Sequence, residues 1–196
     1  AGIDMILVGD SLSNVFQGND TTLPVSLEEM IYHTKAVMKG VKQAFVVVDM
    51  PFGSYQVNES EAIKNAITLL KATNAPAVKL EGGQTMVNTI TKLVQSGIPV
   101  MGHLGLTPQS IHQLGSYEVQ ATLPSARETL IADAQALEKA GCFAIVLEKI
   151  PADLATSISK LLTIPVIGIG AGNGCDGQVL VINDLLGLDA SFKPKF

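Results

Sequence analysis

Tryptophan is absent from this sequence, and cysteine occurs only twice, as Cys142 and Cys175. Two cysteines without metal-type spacing exclude a thiolate metal centre and a disulfide scaffold. They suit the reduced thiols of a cytoplasmic protein. Positive charge is scarce: 13 lysines and arginines face 18 aspartates and glutamates, for a net charge of -5. With no basic stripe, nucleic acid is not an expected partner. No apolar run approaches the roughly 18 residues of a membrane span. The N-terminus also lacks the basic-then-apolar pattern of a signal peptide, so no membrane partner is expected. What remains is 196 residues, 47% hydrophobic and 16% charged. That composition excludes a disordered chain and suffices for one domain with a proper core. No linker or low-complexity tract interrupts it, so residues 1–196 read as a single domain. The chain starts at Ala1 rather than a methionine, with an apolar run already at Ile3, and reads as a piece of a longer one.

Six apolar runs recur along the chain, at residues 3–8, 44–48, 78–81, 99–102, 143–147 and 165–169. Helix signals lie between them. Ser26 and Glu29 have capping-box spacing, and the helix that they start should stop at Gly40. Asn58 and Glu61 cap a helix to about Thr73. A third helix spans 85–96 and ends at Gly97. Pro124 sits near the start of a fourth, which ends at Gly141, and Pro151 opens a fifth to about Leu162. Strand and helix thus alternate, and the strands are continuous apolar runs. Both features indicate parallel strands covered by helices. A seventh run, 178–182, has no periodicity that separates strand from helix. Residues 104–122 form a long loop rich in Gly, Pro, Gln and Ser.

The strands end in charge. Val78-Lys79-Leu80-Glu81-Gly82-Gly83 is the clearest case: Val78 and Leu80 share one face, Lys79 and Glu81 the other. Burying that pair requires partners. Asp10-Ser11, Asp49, His103, Glu148 and the stretch from Gly168 to Gly172 stand at the other strand ends. In parallel α/β architectures, ligand sites lie outside the carboxyl ends of the strands, so these groups should converge on one mouth. Asp10, Asp49 and Glu81 form an all-oxygen set suited to a hard cation such as Mg2+. The competing explanation for each is a cap on the following helix. Lys79 could hold a substrate anion or serve only as counter-ion to Glu81. His103 could bond a substrate or be a satisfied loop histidine. His33 and His112 carry no such signal. Glu148 is a lone acid after five apolar residues. Burial should raise its pKa toward that of a useful base, unless it pairs with Lys149. Gly168-Ile169-Gly170-Ala171-Gly172 suggests an anion loop, although Asn173 breaks GxGxxG, and a tight turn beside the site explains it equally well.

These blocks carry a family resemblance. Leu7-Val8-Gly9-Asp10-Ser11, Thr21-Thr22-Leu23-Pro24-Val25, Tyr32-His33-Thr34, Asp49-Met50-Pro51-Phe52 and the 78–83 stretch occur in order. They are followed by Gly102-His103-Leu104-Gly105-Leu106-Thr107-Pro108-Gln109-Ser110, Val146-Leu147-Glu148, the 167–172 stretch with Asp176-Gly177-Gln178, and Phe192-Lys193-Pro194-Lys195-Phe196. Together they cover essentially the whole chain, which closely resembles the ketopantoate hydroxymethyltransferase family. The resemblance implies a (β/α)8 TIM barrel of the kind shared with phosphoenolpyruvate mutase and isocitrate lyase, here lacking the first strand and the C-terminal tail. It implies Mg2+, and transfer of a hydroxymethyl group from 5,10-methylenetetrahydrofolate to 2-oxoisovalerate in pantothenate and coenzyme A biosynthesis. It further implies a cytoplasmic homo-oligomer, a homodecamer in the family. Carried over, Asp10, Asp49 and Glu81 belong to the metal site, some through water. Asp10, Ser11, Asp49 and Lys79 contact the keto acid, His103 lines its pocket, and Glu148 is the proton acceptor. Ser13 departs from the family's usual Gly, Asn74-Ala75-Pro76 from Ala-Gly-Ala, and Ala121-Thr122 from a Gly followed by a basic residue.

Two other readings compete. One is another Mg-dependent keto-acid enzyme of the same barrel group, such as a carbon–carbon lyase with a nucleophilic cysteine. The other is an inactive barrel fragment that binds partners through exposed strand edges.

Overall fold

Seven parallel strands pair in chain order, each with its immediate successor, in a computed structural model that describes residues 2–188. The elements run β1 (Met5–Val8), α1 (Leu12–Val15), α2 (Leu27–Gly40), β2 (Phe45–Asp49), α3 (Glu59–Thr73), β3 (Ala77–Glu81), α4 (Val87–Gln95), β4 (Val100–Gly105), α5 (Ile111–Leu114), α6 (Pro124–Ala140), β5 (Ala144–Glu148), α7 (Ala152–Leu161), β6 (Val166–Ile169), β7 (Gly177–Gln178) and α8 (Ile182–Leu185). Local chemistry sets the helix ends. The Ser26 hydroxyl accepts from Glu29 N while Glu29 bonds back to Ser26 N, a complete capping box. Asn58 accepts from Glu61 N at 2.9 Å. Gly141 closes α6 at φ 102°, and Asn74 closes α3 at φ 61°, a left-handed conformation that asparagine tolerates.

Alternation along the strands splits the apolar residues into two cores. Val46, Val48, Val78, Leu80, Val100, Ile145 and Leu147 face the helices. Val47, Ala77, Met101, Ala144 and Val146 face the other way and join Leu7 and Ile167 in one cluster. Residues from β1 to β6 can share a cluster only if the sheet curls around it. The rings of Phe45 and Phe143 confirm the curl with centroids 5.7 Å apart, although three strand spacings of about 4.8 Å separate β2 from β5. The result is a curled parallel sheet, a half-barrel, with β1 and β7 at its edges among the described residues. No helix of the described residues is long and apolar enough to cross a membrane.

The expected elements recur, with α1 added in a stretch that carried no helix signal, and with three further differences. β4 runs past Gly102 to Gly105, so His103 sits inside a strand and not at a loop start. The loop after it contains a 3-10 turn, Pro108–Ser110, and then α5. The run 178–182 is neither strand nor helix throughout: β7 takes only Gly177–Gln178, and α8 begins at Ile182. The block 192–196 lies outside the described residues.

Candidate active site

The inward face of the sheet changes from apolar to charged at its carboxyl edge. Two residues after Val47 comes Asp49. Lys79 and Glu81 follow Ala77, His103 follows Met101, and Glu148 follows Val146. Register sets Asp49 beside Lys79, Glu81 beside His103 and Gly105 beside Glu148. Gly105 adopts φ 89°, and a Cβ there would lie 2.2 Å from the Glu148 carbonyl oxygen. Only glycine permits that approach, which lets Leu106 N donate to Glu148 O at 2.8 Å and fixes the base of Glu148.

These side chains form one connected network. Lys79 Nζ lies 2.8 Å from Asp49 Oδ1 and 3.1 Å from His103 Nδ1. His103 stands between two carboxylates, with Nδ1 3.4 Å from Glu81 Oε1 and Nε2 3.2 Å from Glu148 Oε2. Asp10 N donates to Asp49 Oδ2 at 3.0 Å, which brings the β1 end to β2. Asp10, Asp49, Lys79, Glu81 and His103 are all buried, and Glu148 is half-buried. Ser11 is half-buried at the head of α1, where its hydroxyl makes no capping bond.

Each titration shift has a cause. Burial and then the Asp49 carboxylate push Asp10 from 3.8 up to about 8, against the attraction of Lys79. Burial works against the Lys79 ammonium, but Asp49, Glu81 and Asp10 together hold its pKa above the usual value. Burial and Lys79 oppose protonation of His103, and the bonds with Glu148 and Glu81 outweigh them, raising it from 6.5 to about 9. Burial would raise Glu81, yet His103, Lys79 and Gln109 N–H hold it below the usual carboxylate value.

The network brings together Asp10, Asp49, Lys79, Glu81, His103 and Glu148, all anticipated from the strand ends. Glu148 does not sit in the apolar surroundings that its strand suggested. Its partner is His103, whereas Lys149 turns away at φ 47° and its Nζ donates to Tyr117 O at 2.6 Å. The glycine stretch is a packed turn: a Cβ on Gly168 would meet Cys175 Sγ at 3.0 Å, and Gln178 Nε2 donates to Gly172 O at 3.1 Å. Ser13, the first family departure, is buried and donates to Thr21 O at 2.6 Å, tying down the loop after α1. Two site residues carried no sequence signal beyond their neighbourhood. Gln109 and Tyr55 are buried among the carboxylates, and Gln109 N donates to Glu81 Oε2 at 3.0 Å.

Among the described residues, no three His, Cys, Asp or Glu side chains form a ready cage for an ion. Asp10 and Asp49 are the adjoining carboxylates, joined by the Asp10 N–H bond to Asp49 Oδ2; burial first, and then the Asp49 carboxylate, raise the Asp10 pKa. That donor set fits Mg2+, which takes one or two carboxylates and completes its shell with water and substrate oxygens. The Glu81 oxygens face His103 Nδ1 and Gln109 N–H, and those of Asp49 face Lys79 Nζ and Asp10 N–H, so each of these two carboxylates would meet an ion directly or through water with a protein partner already on each oxygen.

A curled parallel sheet with a charged carboxyl edge is a half-barrel α/β fold whose charged groups gather where such folds bind ligands. Solved neighbours share that fold. A 2,3-dimethylmalate lyase of the PEP mutase/isocitrate lyase superfamily aligns with TM-score 0.69 at 15% identity, over 97% of this chain and 72% of its own. A putative phosphonomutase from Burkholderia cenocepacia aligns with TM-score 0.70 at 12% identity, over 97% and 83%. The family model for ketopantoate hydroxymethyltransferase matches residues 1–196, and the chain belongs to that family. Curated relatives named 3-methyl-2-oxobutanoate hydroxymethyltransferase include those of Bacteroides thetaiotaomicron, 60% identical over 196 residues, and Chlorobium luteolum, 58% identical over 200 residues. In both, the match covers all of this chain and 72% of the relative.

Proposed function

We propose that this protein transfers a hydroxymethyl group from 5,10-methylenetetrahydrofolate to 2-oxoisovalerate (3-methyl-2-oxobutanoate), giving ketopantoate for pantothenate and coenzyme A synthesis. Family membership and the relatives' names support the reaction. The observation that carries its chemistry is the Asp49–Lys79–His103–Glu148 network at the sheet's carboxyl edge.

The reaction needs a base for the C3 proton, a stabiliser for the enolate oxygen and a means of orienting both partners. Glu148 is the base, because it alone of the site carboxylates is half-open to the mouth. His103 orients it through Nε2. Lys79, held by Asp49, directs positive charge at the developing enolate oxygen, an electrostatic role strengthened by burial. Ser11 at the head of α1 supplies a hydroxyl for the substrate carboxylate. Asp10 and Asp49 would hold Mg2+, with Glu81 acting directly or through water; when bound, that ion serves as a Lewis acid toward the keto acid's oxygens. Fixing the keto acid across the mouth turns C3 toward Glu148 and the folate carbon.

The same reading takes the half-barrel as seven strands of a (β/α)8 barrel in a cytoplasmic homo-oligomer. A carbon–carbon lyase reading has no support at the mouth. Cys142 lies in the helix-side core, where burial pushes its thiol up to about 12, and Cys175 packs against the Gly168 turn. The test is calorimetric titration with 2-oxoisovalerate, with Mg2+ or with chelator, beside an assay of ketopantoate formed from both substrates. Binding should need the cation and be weakened by Asp49→Asn. Equal affinity in chelator would remove the metal from the proposal, and no ketopantoate would remove the reaction.

A further inference from the structure

We infer that Gln109 is a positioning residue, which orients the Asp10 carboxylate through a polarity relay starting at the backbone of β3; the inference rests on the metal reading above. The relay begins with Glu81 N, which donates to Tyr55 OH at 3.1 Å. That bond makes the Tyr55 oxygen an acceptor, so its own proton must point elsewhere. It goes to Gln109 Oε1, 2.7 Å away; the alternative acceptor, Glu81 O, lies at 3.4 Å. Gln56 Nε2 donates to the same Oε1 at 3.0 Å. With both lone pairs of Oε1 taken, the amide has one orientation. Its Nε2 must face the other way, where it donates to Asp10 Oδ2 at 2.8 Å and to Met50 O at 3.0 Å. All four hydrogen-bonding positions of the amide are therefore used.

One side chain thus joins the ends of three strands. Asp10 follows β1, Met50, Tyr55 and Gln56 follow β2, and Gln109 itself follows β4, while its backbone N–H holds Glu81 at the end of β3. A glutamine is uncharged and saturated here, so it does not compete for a cation. It fixes one Asp10 oxygen and leaves the second for a ligand. An apolar residue of the same length would keep the packing and abandon the orientation.

The experiment compares Gln109→Met and Tyr55→Phe with the parent, using Mn2+ binding followed by electron paramagnetic resonance, keto-acid KM and kcat, and Tm. Gln109→Met should weaken Mn2+ at least tenfold and raise KM, with kcat at saturation within about threefold. Tyr55→Phe removes a single oxygen and should do the same to a lesser degree, since Gln56 still restrains the amide. A merely structural role would lower Tm or kcat and leave Mn2+ affinity and KM in place. Mn2+ affinity and KM within twofold of the parent in both variants would overturn the inference, whatever the Tm. A parent that binds no Mn2+ would instead refute the metal reading. KM alone then decides the relay: a tenfold rise supports it and an unchanged KM overturns it.

Discussion

His103 Nε2 lies 3.2 Å from Glu148 Oε2, so the imidazole carried by β4 stands against the carboxylate carried by β5. On its other side, Nδ1 faces Glu81 and Lys79. An imidazole between two carboxylates holds each in place, and here it links the half-open edge of the site to its buried floor.

The base assignment predicts a specific kinetic loss. Glu148→Gln keeps the size of the side chain and a bond to His103 but cannot accept a proton. The variant should lose about 10²–10⁴-fold in kcat, the usual contribution of a positioned base, with keto-acid affinity nearly unchanged. Exchange of the C3 proton of 2-oxoisovalerate into deuterated water, followed by NMR without folate, reads this step directly. Exchange as fast as the parent's would transfer the role to His103.

Lys79 and Asp49 form a buried pair, each about 3% exposed. Breaking such a pair leaves one uncompensated buried charge, a loss of about 3–5 kcal/mol. Lys79→Met should therefore destabilise the fold by that order in urea unfolding. The double variant Lys79→Met with Asp49→Asn should recover much of it. A double variant as unstable as the sum of the single ones would mean that the two residues act separately.

The strand ends were legible in the sequence because a parallel sheet makes them so. Continuous apolar runs that stop at Asp49, Glu81 and Glu148 place those acids on one edge whatever the helices do. Two features were not legible for the opposite reason. Gly102-His103 looks like a strand end, and only pairing with β5 carries the strand on to Gly105. Gln109 lies in a polar loop, and its uncharged amide gives no periodic or charge signal. Its importance comes from a 3-10 turn that folds it inward onto Asp10. Glu148 illustrates a third case: its partner is set by cross-strand geometry, which sequence neighbours such as Lys149 do not reveal.

The capping box of α2 predicts a stability effect in acid. Bonds from the Ser26 N–H and hydroxyl hold the Glu29 carboxyl below its usual value of 4.5. A depressed carboxyl contributes stability above its unfolded pKa and loses it as pH falls through the folded pKa. The Tm of the parent should exceed that of Glu29→Gln at pH 6, and the gap should close as pH falls below 4.5 toward 3. A gap independent of pH would show that the box acts without its charge.

The last prediction concerns the segment beside Glu148. Lys149 Nζ donates to Tyr117 O at 2.6 Å, Gln120 N donates to Lys149 O at 2.7 Å, and Tyr117 OH reaches Asp20 O at 3.4 Å. Residues 117–120 are thereby strapped between the end of β5 and the loop after α1. Burial, then Asp20 and Glu148, raise the Tyr117 pKa. Ala121 closes the strap at φ 53°, a left-handed conformation, at the position where the family resemblance has glycine. Alanine tolerates it at a cost of about 1–2 kcal/mol. A β-branched side chain tolerates it less well, because its second γ substituent crowds the backbone. Ala121→Val should therefore weaken the strap by a further 1–2 kcal/mol or so and speed exchange of the Gln120 amide about 5–30-fold, with little change in the strands. Ala121→Gly should remove the strain but add freedom to the unfolded chain and give up a half-buried methyl, so its exchange rate should stay near the parent's. Hydrogen exchange read at Gln120 by NMR distinguishes the two. Equal exchange in parent and Val variant would show that the left-handed turn at Ala121 does not hold the strap.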